Sequence, residues 1–204
     1  MKLFYAPGAC SLSPHIVLRE AGVTFTLEKV DTGSGTTESG ADYRAINAKG
    51  YVPALQIEGG AVLTEGAAVV QFIADRHPDA NLAPAAGTLE RARLQEHLNF
   101  IASELHKAFT PLFKPDSSEE VQAVARVNVR RRLGQVEQQL EDGRDYLMGK
   151  DFSVADAYLF TVANWAHPTG IGLDDWPHLQ ALVARVRERP SVKAAMAAEG
   201  LAAA

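Results

Sequence analysis

The sequence predicts two halves of different class, an α/β domain followed by an all-α helical bundle, and three observations carry that expectation. Up to about residue 80 the pattern changes every few residues, with short extended runs at Lys2–Tyr5, Phe25–Val30, Pro53–Ile57 and Ala61–Leu63 separated by helical stretches and glycine-bearing turns. Beyond residue 87 the extended runs stop, and apolar residues recur at intervals of three and four. Between the two, His77–Gly87 holds Pro78, Pro84 and four alanines, carries no sustained period and reads as a connection. The expected boundaries are an N-terminal domain at 1–80, a linker at 81–87 and a helical domain at 88–204.

Taken in order, Lys2–Tyr5 opens as a strand, and Leu12, Ile16, Val17 and Glu20 set up a helix that Ala21-Gly22 ends, because glycine accepts the left-handed stop. Phe25–Val30 then completes a βαβ unit. Pro53 begins the third run, and Glu58-Gly59-Gly60 turns the chain into Ala61–Leu63 as a hairpin. A helix over Glu65–Arg76 follows, since Val69, Val70, Phe72 and Ile73 share one broad face. In the second half Leu94, Leu98, Ile101, Leu105, Ala108 and Leu112 step by 4, 3, 4, 3 and 4, a single stripe on a long helix that Pro111 and Pro115 bend or end. Ser117-Ser118-Glu119-Glu120 starts another helix, whose Val129, Leu133, Val136 and Leu140 step by 4, 3 and 4. Ser153 and Asp156 have capping-box spacing ahead of Ala157–Val162, a folding signal. The alanine-rich close, Ala194–Ala204, predicts a short helix with a frayed tail.

Composition narrows the function. Hydrophobic residues make up 47% and charged residues 22% of 204, with no apolar run long enough to cross a membrane. Twenty Lys and Arg against 25 Asp and Glu give a net charge of −5, which offers no grip on a polyphosphate backbone, so no nucleic-acid partner is expected. The single cysteine, Cys10, forms no internal disulfide, and the N-terminus lacks a signal-type apolar region; both fit a cytoplasmic protein. No metal-ligand spacing and no phosphate-cradling glycine motif occurs, so neither a metal nor a nucleotide is expected.

A few residues could carry chemistry. Cys10 lies between the first strand and the first helix, where open N–H groups and the helix dipole favour an anion. Ser13 stands where a dithiol oxidoreductase places its second cysteine, so a disulfide of Cys10 must be with another molecule. Val52-Pro53 offers backbone groups of Val52 to an extended peptide. Glu65-Gly66 supplies a carboxylate for an ammonium and bare N–H groups for a carboxylate, the two charged ends of an amino acid. His106 and Lys107 sit beside the long stripe and, if the domains face each other, are cations that can approach Cys10. Asn99 and Ser103 share a neighbouring face with Lys107. Tyr5, Phe109, Phe113, Trp165 and His167 are candidates to line an apolar cleft.

These residues resemble those of the bacterial beta-class glutathione transferases nearly end to end. The resemblance runs through Lys2–Tyr5, Cys10–Ile16, Lys49–Leu55, Leu63–Gly66, Ala102–Lys107 and Ser153–Phe160. It implies a thioredoxin-like N-terminal domain with a cis-proline at Pro53, an all-helical C-terminal domain, and a homodimer that binds glutathione, as co-substrate, between the domains. By position it implies glutathione contacts at Ala9, Cys10, Val52, Pro53, Glu65, Gly66, His106 and Lys107, with Asn99, Ser103 and Glu104 at positions through which a partner subunit reaches the ligand. Cys10, His106 and Tyr5 are the expected catalytic residues, joining the glutathione thiol to small, largely hydrophobic electrophiles in a detoxifying role. Two alternatives use the same fold: a Cys10-dependent mixed-disulfide reductase or reductive dehalogenase, and a non-catalytic member that binds ligands or proteins. One departure stands out. Thr32–Thr36 carries no basic residue where the family often has one facing the glycine carboxylate, so weaker glutathione binding than in a Gly35→Lys variant is expected.

Overall fold

In the computed structural model, which describes residues 1–201, the chain divides into two compact units: Met1–Ala83 together with the chain from Glu188 onward, and Pro84–Arg187. In the first unit β1 (Lys2–Tyr5) lies parallel to β2 (Thr26–Asp31) with Leu3 opposite Leu27, the pairing a βαβ unit dictates. The crossover is α1 (Leu12–Glu20), which stops at Gly22 in the left-handed region, φ 65°. On its other side β1 pairs antiparallel with β4 (Ala54–Gln56), and β4 with β5 (Val62–Thr64), closing the expected hairpin one residue later than the sequence places it. A two-residue strand, β3 (Thr36–Thr37), edges β2, so the sheet order is β3-β2-β1-β4-β5. β3 and the one-turn helix α2 (Tyr43–Ile46) are too short to leave a period and are absent from the sequence reading.

α3 (Gly66–Arg76) packs with α1, burying Ile16, Val17, Val69, Val70 and Ile73 completely. The final helix, α9 (Pro190–Ala198), also packs on α1 and falls in this unit. The reason is a pair of long-range anchors: Arg189 forks onto Glu20 at 2.6 and 2.8 Å, and the buried Glu199 reaches His15 at 2.8 Å. Residues 202–204 of the expected frayed tail lie outside the described residues.

The second unit has no strand among the described residues, only an isolated bridge between Tyr146 and Gly149, and its regular elements are helices. α4 (Leu89–Phe100) runs into a π-helical turn (Ile101–Leu105), then α5 (His106–Phe109) and a 3-10 turn (Thr110–Phe113) around Pro111. A π-turn inserts one extra residue, so the inward stripe slips by one. Leu94, Leu98, Ile101 and Leu105 are buried as expected, but the next buried position is Phe109 rather than Ala108. Ser118 accepts from Val121 N–H to cap α6 (Glu119–Leu140), whose stripe of Val129, Leu133, Val136 and Leu140 is fully inward. α7 (Val154–Ala163) is buried along its whole length and starts at the expected capping box, and α8 (Pro177–Arg187) completes the bundle.

The capping acid does more than cap. Asp156 accepts from Ser153 N–H and Oγ–H at 2.8 and 2.7 Å, and from the distant Leu147 N–H at 2.8 Å, tying the preceding turn to α7. Burial pushes its carboxyl up to about 6 against the pull of these donors.

Candidate functional site

Cys10 ends a tight turn after β1, with Ala9 N–H bonded to Ala6 O at 3.1 Å. Open N–H groups were the expected source of anion stabilisation here; Ser11 N–H has no partner among the described residues, while the next two positions are engaged and the third lacks an N–H. Leu12 N–H donates to Ala9 O at 3.0 Å, Ser13 N–H to Cys10 O at 3.2 Å, and Pro14 has none. The thiol donates to Val52 O at 3.2 Å, and a carbonyl accepts a proton without offering one, so this is the contact of an S–H rather than of a thiolate. The turn is fixed twice. Ser11 Oγ exchanges bonds of 3.2 Å with both Ala6 N–H and Ala6 O, and Gly8 N–H donates to Glu199 Oε2 at 2.9 Å. Glu199 Oε1 takes the Nδ1 proton of His15, which is fully buried and accepts from Arg19 Nε at 3.0 Å through Nε2.

The Val52-Pro53 peptide is cis, as the resemblance implies. Val52 N–H has no partner among the described residues, so it faces an extended ligand with a donor in hand. Its position is set by the preceding carbonyl: Tyr51 O accepts from Tyr43 Oη at 2.9 Å and Asn47 Nδ2 at 2.7 Å. Tyr43 is completely buried against Phe4, with ring centroids 5.6 Å apart, and burial holds its phenol above the ordinary value. A signal for α2 was present in Asp42, whose carboxylate caps the helix by accepting from Arg44 N–H at 2.9 Å.

Glu65 occupies the N-cap of α3 at φ 69°, a left-handed conformation that costs a non-glycine residue about 1–3 kcal/mol. Its side chain makes no cap bond, so Gly66 and Ala67 N–H have no partner among the described residues, whereas Ala68 and Val69 N–H both reach Glu65 O. The carboxylate instead meets Lys49 Nζ at 2.6 Å on the surface. Of the two helix starts the sequence proposes for anions, α3 is the open one. Tyr5 is buried, its ring 6.3 Å from His15, and its phenol is held above the usual value by burial and by the charges of Glu38 and Glu199. It is therefore a proton donor at neutral pH.

In the second unit His106 departs from expectation. The π-turn aims it inward, where Nδ1 lies 3.0 Å from Tyr158 Oη and its ring stands edge-on to Trp165 at 4.8 Å. Burial, with Lys107 adding to it, pushes its pKa down to about 4, so at neutral pH His106 is no cation; the charge at this point is the exposed Lys107. Trp165 gathers Phe109 and Phe113, with centroids at 5.7 and 5.4 Å, and Phe113 is half exposed. His167 is not part of this cluster; it sits exposed on the turn after Trp165. Tyr5 belongs to the other unit, where its ring is tilted against His15. Ser103 Oγ donates to Asn99 O at 2.8 Å, and Glu104 pairs with Arg132. Among the described residues no group of three or more His, Cys, Asp or Glu gathers to hold a metal, and no helix is long and apolar enough to cross a membrane.

A family model described as the glutathione S-transferase N-terminal domain matches residues 8–76, and one described as the C-terminal domain matches residues 100–190. The glutathione S-transferase GstA of Escherichia coli O157:H7 is 47% identical over 98% of this chain and 100% of its own. Among solved structures, a bacterial beta class glutathione S-transferase of Sphingomonas chungbukensis superposes with a TM-score of 0.96 at 48% identity, over 99% of this chain and 100% of that one. A sphingomonad glutathione S-transferase complexed with glutathione gives 0.95 at 47%, with the same coverage.

Proposed function

The chain belongs to the bacterial beta class of the glutathione S-transferase family and is a glutathione transferase, and from that premise we propose how its residues divide the work. The glutathione cysteinyl backbone pairs with Val52, the γ-glutamyl ammonium meets Glu65, and the γ-glutamyl carboxylate takes the Gly66 and Ala67 N–H groups. The observation that carries this reading is the 3.2 Å contact between Cys10 Sγ and Val52 O. A tripeptide thiol paired on Val52 is brought beside Cys10, with Ala9 and Pro53 flanking it.

The reaction is addition or substitution at a small electrophile by the glutathione sulfur. Phe109, Phe113 and Trp165 supply the apolar surface for that electrophile, and His106 acts as a neutral donor or acceptor. Tyr5 offers its phenol proton. Asn99 and Lys107 are further glutathione contacts, while Ser103 and Glu104, already bonded, hold the helix that carries them. The protein works as a cytoplasmic homodimer, which light scattering at twice the monomer mass would bear out.

The test is turnover of glutathione with an activated aryl chloride by wild type and Cys10→Ala. Glutathione-dependent conjugation that survives the substitution makes Cys10 a neighbour of the sulfur. Conjugation lost together with a glutathionyl adduct seen by intact mass makes it the reactive centre, as in the reductase and dehalogenase readings. Glutathione binding without consumption of any electrophile in a broad panel would move the chain to the non-catalytic reading.

A further inference from the structure

We propose that Arg44 holds the glycyl carboxylate of glutathione, an assignment that rests on the reading of the first unit as a glutathione site. Glutathione presents four recognisable groups, and the first unit answers three of them in order: Glu65 with the α3 start, Val52, and Cys10. The fourth is a carboxylate at the opposite end of the peptide from the γ-glutamyl group, and a full negative charge calls for a cation.

Arg44 stands where that cation is needed. A Cβ built on Gly50 would lie 3.6, 3.7 and 3.8 Å from the three guanidinium atoms Cζ, Nη2 and Nη1, and one built on Gly35 would lie 4.0 Å from Nε. With glycine at both positions neither residue puts a side chain against the guanidinium, and Arg44 is exposed. Gly50 precedes Val52 by two residues, at most about 7 Å of extended chain, which is also the reach from a cysteinyl Cα to the carboxylate of the following glycine. The Arg44 side chain makes no ion pair or hydrogen bond among the described residues. Lys49, the other cation of this segment, sits beside Glu65 and so at the γ-glutamyl end of the peptide. Arg44 also shares α2 with Tyr43, whose hydroxyl fixes Tyr51 O, so one element holds both the guanidinium and the Val52 edge.

Arg44 thereby replaces the basic residue missing from the loop after β2, and the weaker glutathione binding expected from that loop does not follow. Gly35 is a poor place to restore a cation, since its φ of 74° is one that L side chains rarely adopt.

Calorimetry with glutathione and with its glycine amide, which lacks only the terminal charge, tests the assignment on wild type, Arg44→Ala and Arg44→Lys. Wild type should prefer glutathione to the amide by about tenfold, a preference that shrinks in high salt. Arg44→Ala should bind both alike, at the affinity wild type shows for the amide, and Arg44→Lys should recover part of the preference. An Arg44→Ala protein that still prefers glutathione as strongly as wild type overturns the assignment and leaves the glutathione site standing. A wild-type protein that binds neither ligand overturns both.

Discussion

Val52, Gly66 and Ala67 in the first unit carry N–H groups with no partner among the described residues, and Arg44 a guanidinium with none. In the second unit His106 is bonded to Tyr158, Ser103 to Asn99 O, and Glu104 to Arg132. An unmade hydrogen bond costs about 1–3 kcal/mol when the group is desolvated, so open groups persist where solvent or a ligand can reach them. In the proposed glutathione site, recognition draws on backbone left unbonded, whereas the helical unit is built from side chains bonded in advance. Substitutions should divide accordingly, affecting affinity in the first unit and stability in the second.

Asp156→Ala makes the sharpest demand on that division. It strands three buried donors, and a loss of about 3–5 kcal/mol in unfolding free energy is expected, read from the urea midpoint, with glutathione affinity unchanged wherever the variant is folded. Glu65→Gln should do the reverse. It removes a charge-assisted partner of the ligand, raising the glutathione Kd by about ten- to a hundredfold, while stability moves by less than about 0.5 kcal/mol because the side chain is exposed. Gly66→Pro refines this, since proline suits the first helical position but lacks the N–H; several-fold weaker binding with unchanged circular dichroism is the expected result.

His106 gives the pH test. Its native pKa of about 4 lies below the ordinary 6.5, so its contribution to stability is complete above pH 6.5 and is lost as pH falls toward 4. Asp156 has the opposite sign: its carboxyl is raised to about 6, so stability rises as pH falls from 6 toward the ordinary carboxylate value. The slopes oppose one another in wild type. His106→Gln should leave the Asp156 slope alone and make the variant relatively more stable near pH 5 than near pH 7; a profile unchanged from wild type would refute the half-buried, neutral state of His106. Ser103→Ala should have the smallest effect, within about 0.5 kcal/mol and with no change in the glutathione KM. A several-fold rise in KM would break the comparison, because Ser103 would then leave Asn99 O to serve the ligand.

The sequence is most legible where structure is local. β1, α1 and β2 follow from spacing within thirty residues, and the Val52-Pro53 and Glu65-Gly66 features can be read from two residues each. Cys10 falls between β1 and α1 as expected, but the engagement of Ala9, Leu12 and Ser13 N–H within the turn lies in bonds that no pattern of residue types reveals. His106 escapes for a related reason: the π-turn shifts the register by one residue, and a period of three and four continues plausibly through it. Tyr43 and Asn47 act through a helix of one turn. Glu199 meets His15 across 184 residues, a distance over which a single sequence carries no signal.

That last bond fixes an order of events during synthesis. The turn that carries Cys10 precedes the helical unit in the chain, and the carboxylate that anchors Gly8 and His15 follows it. Domains generally fold as they emerge, N-terminal first. Here the helical unit, Pro84–Arg187, has its whole sequence available while the α/β unit still waits for α9. The turn that carries Cys10 therefore gains its two Glu199 bonds only once the sequence of the helical unit has been made.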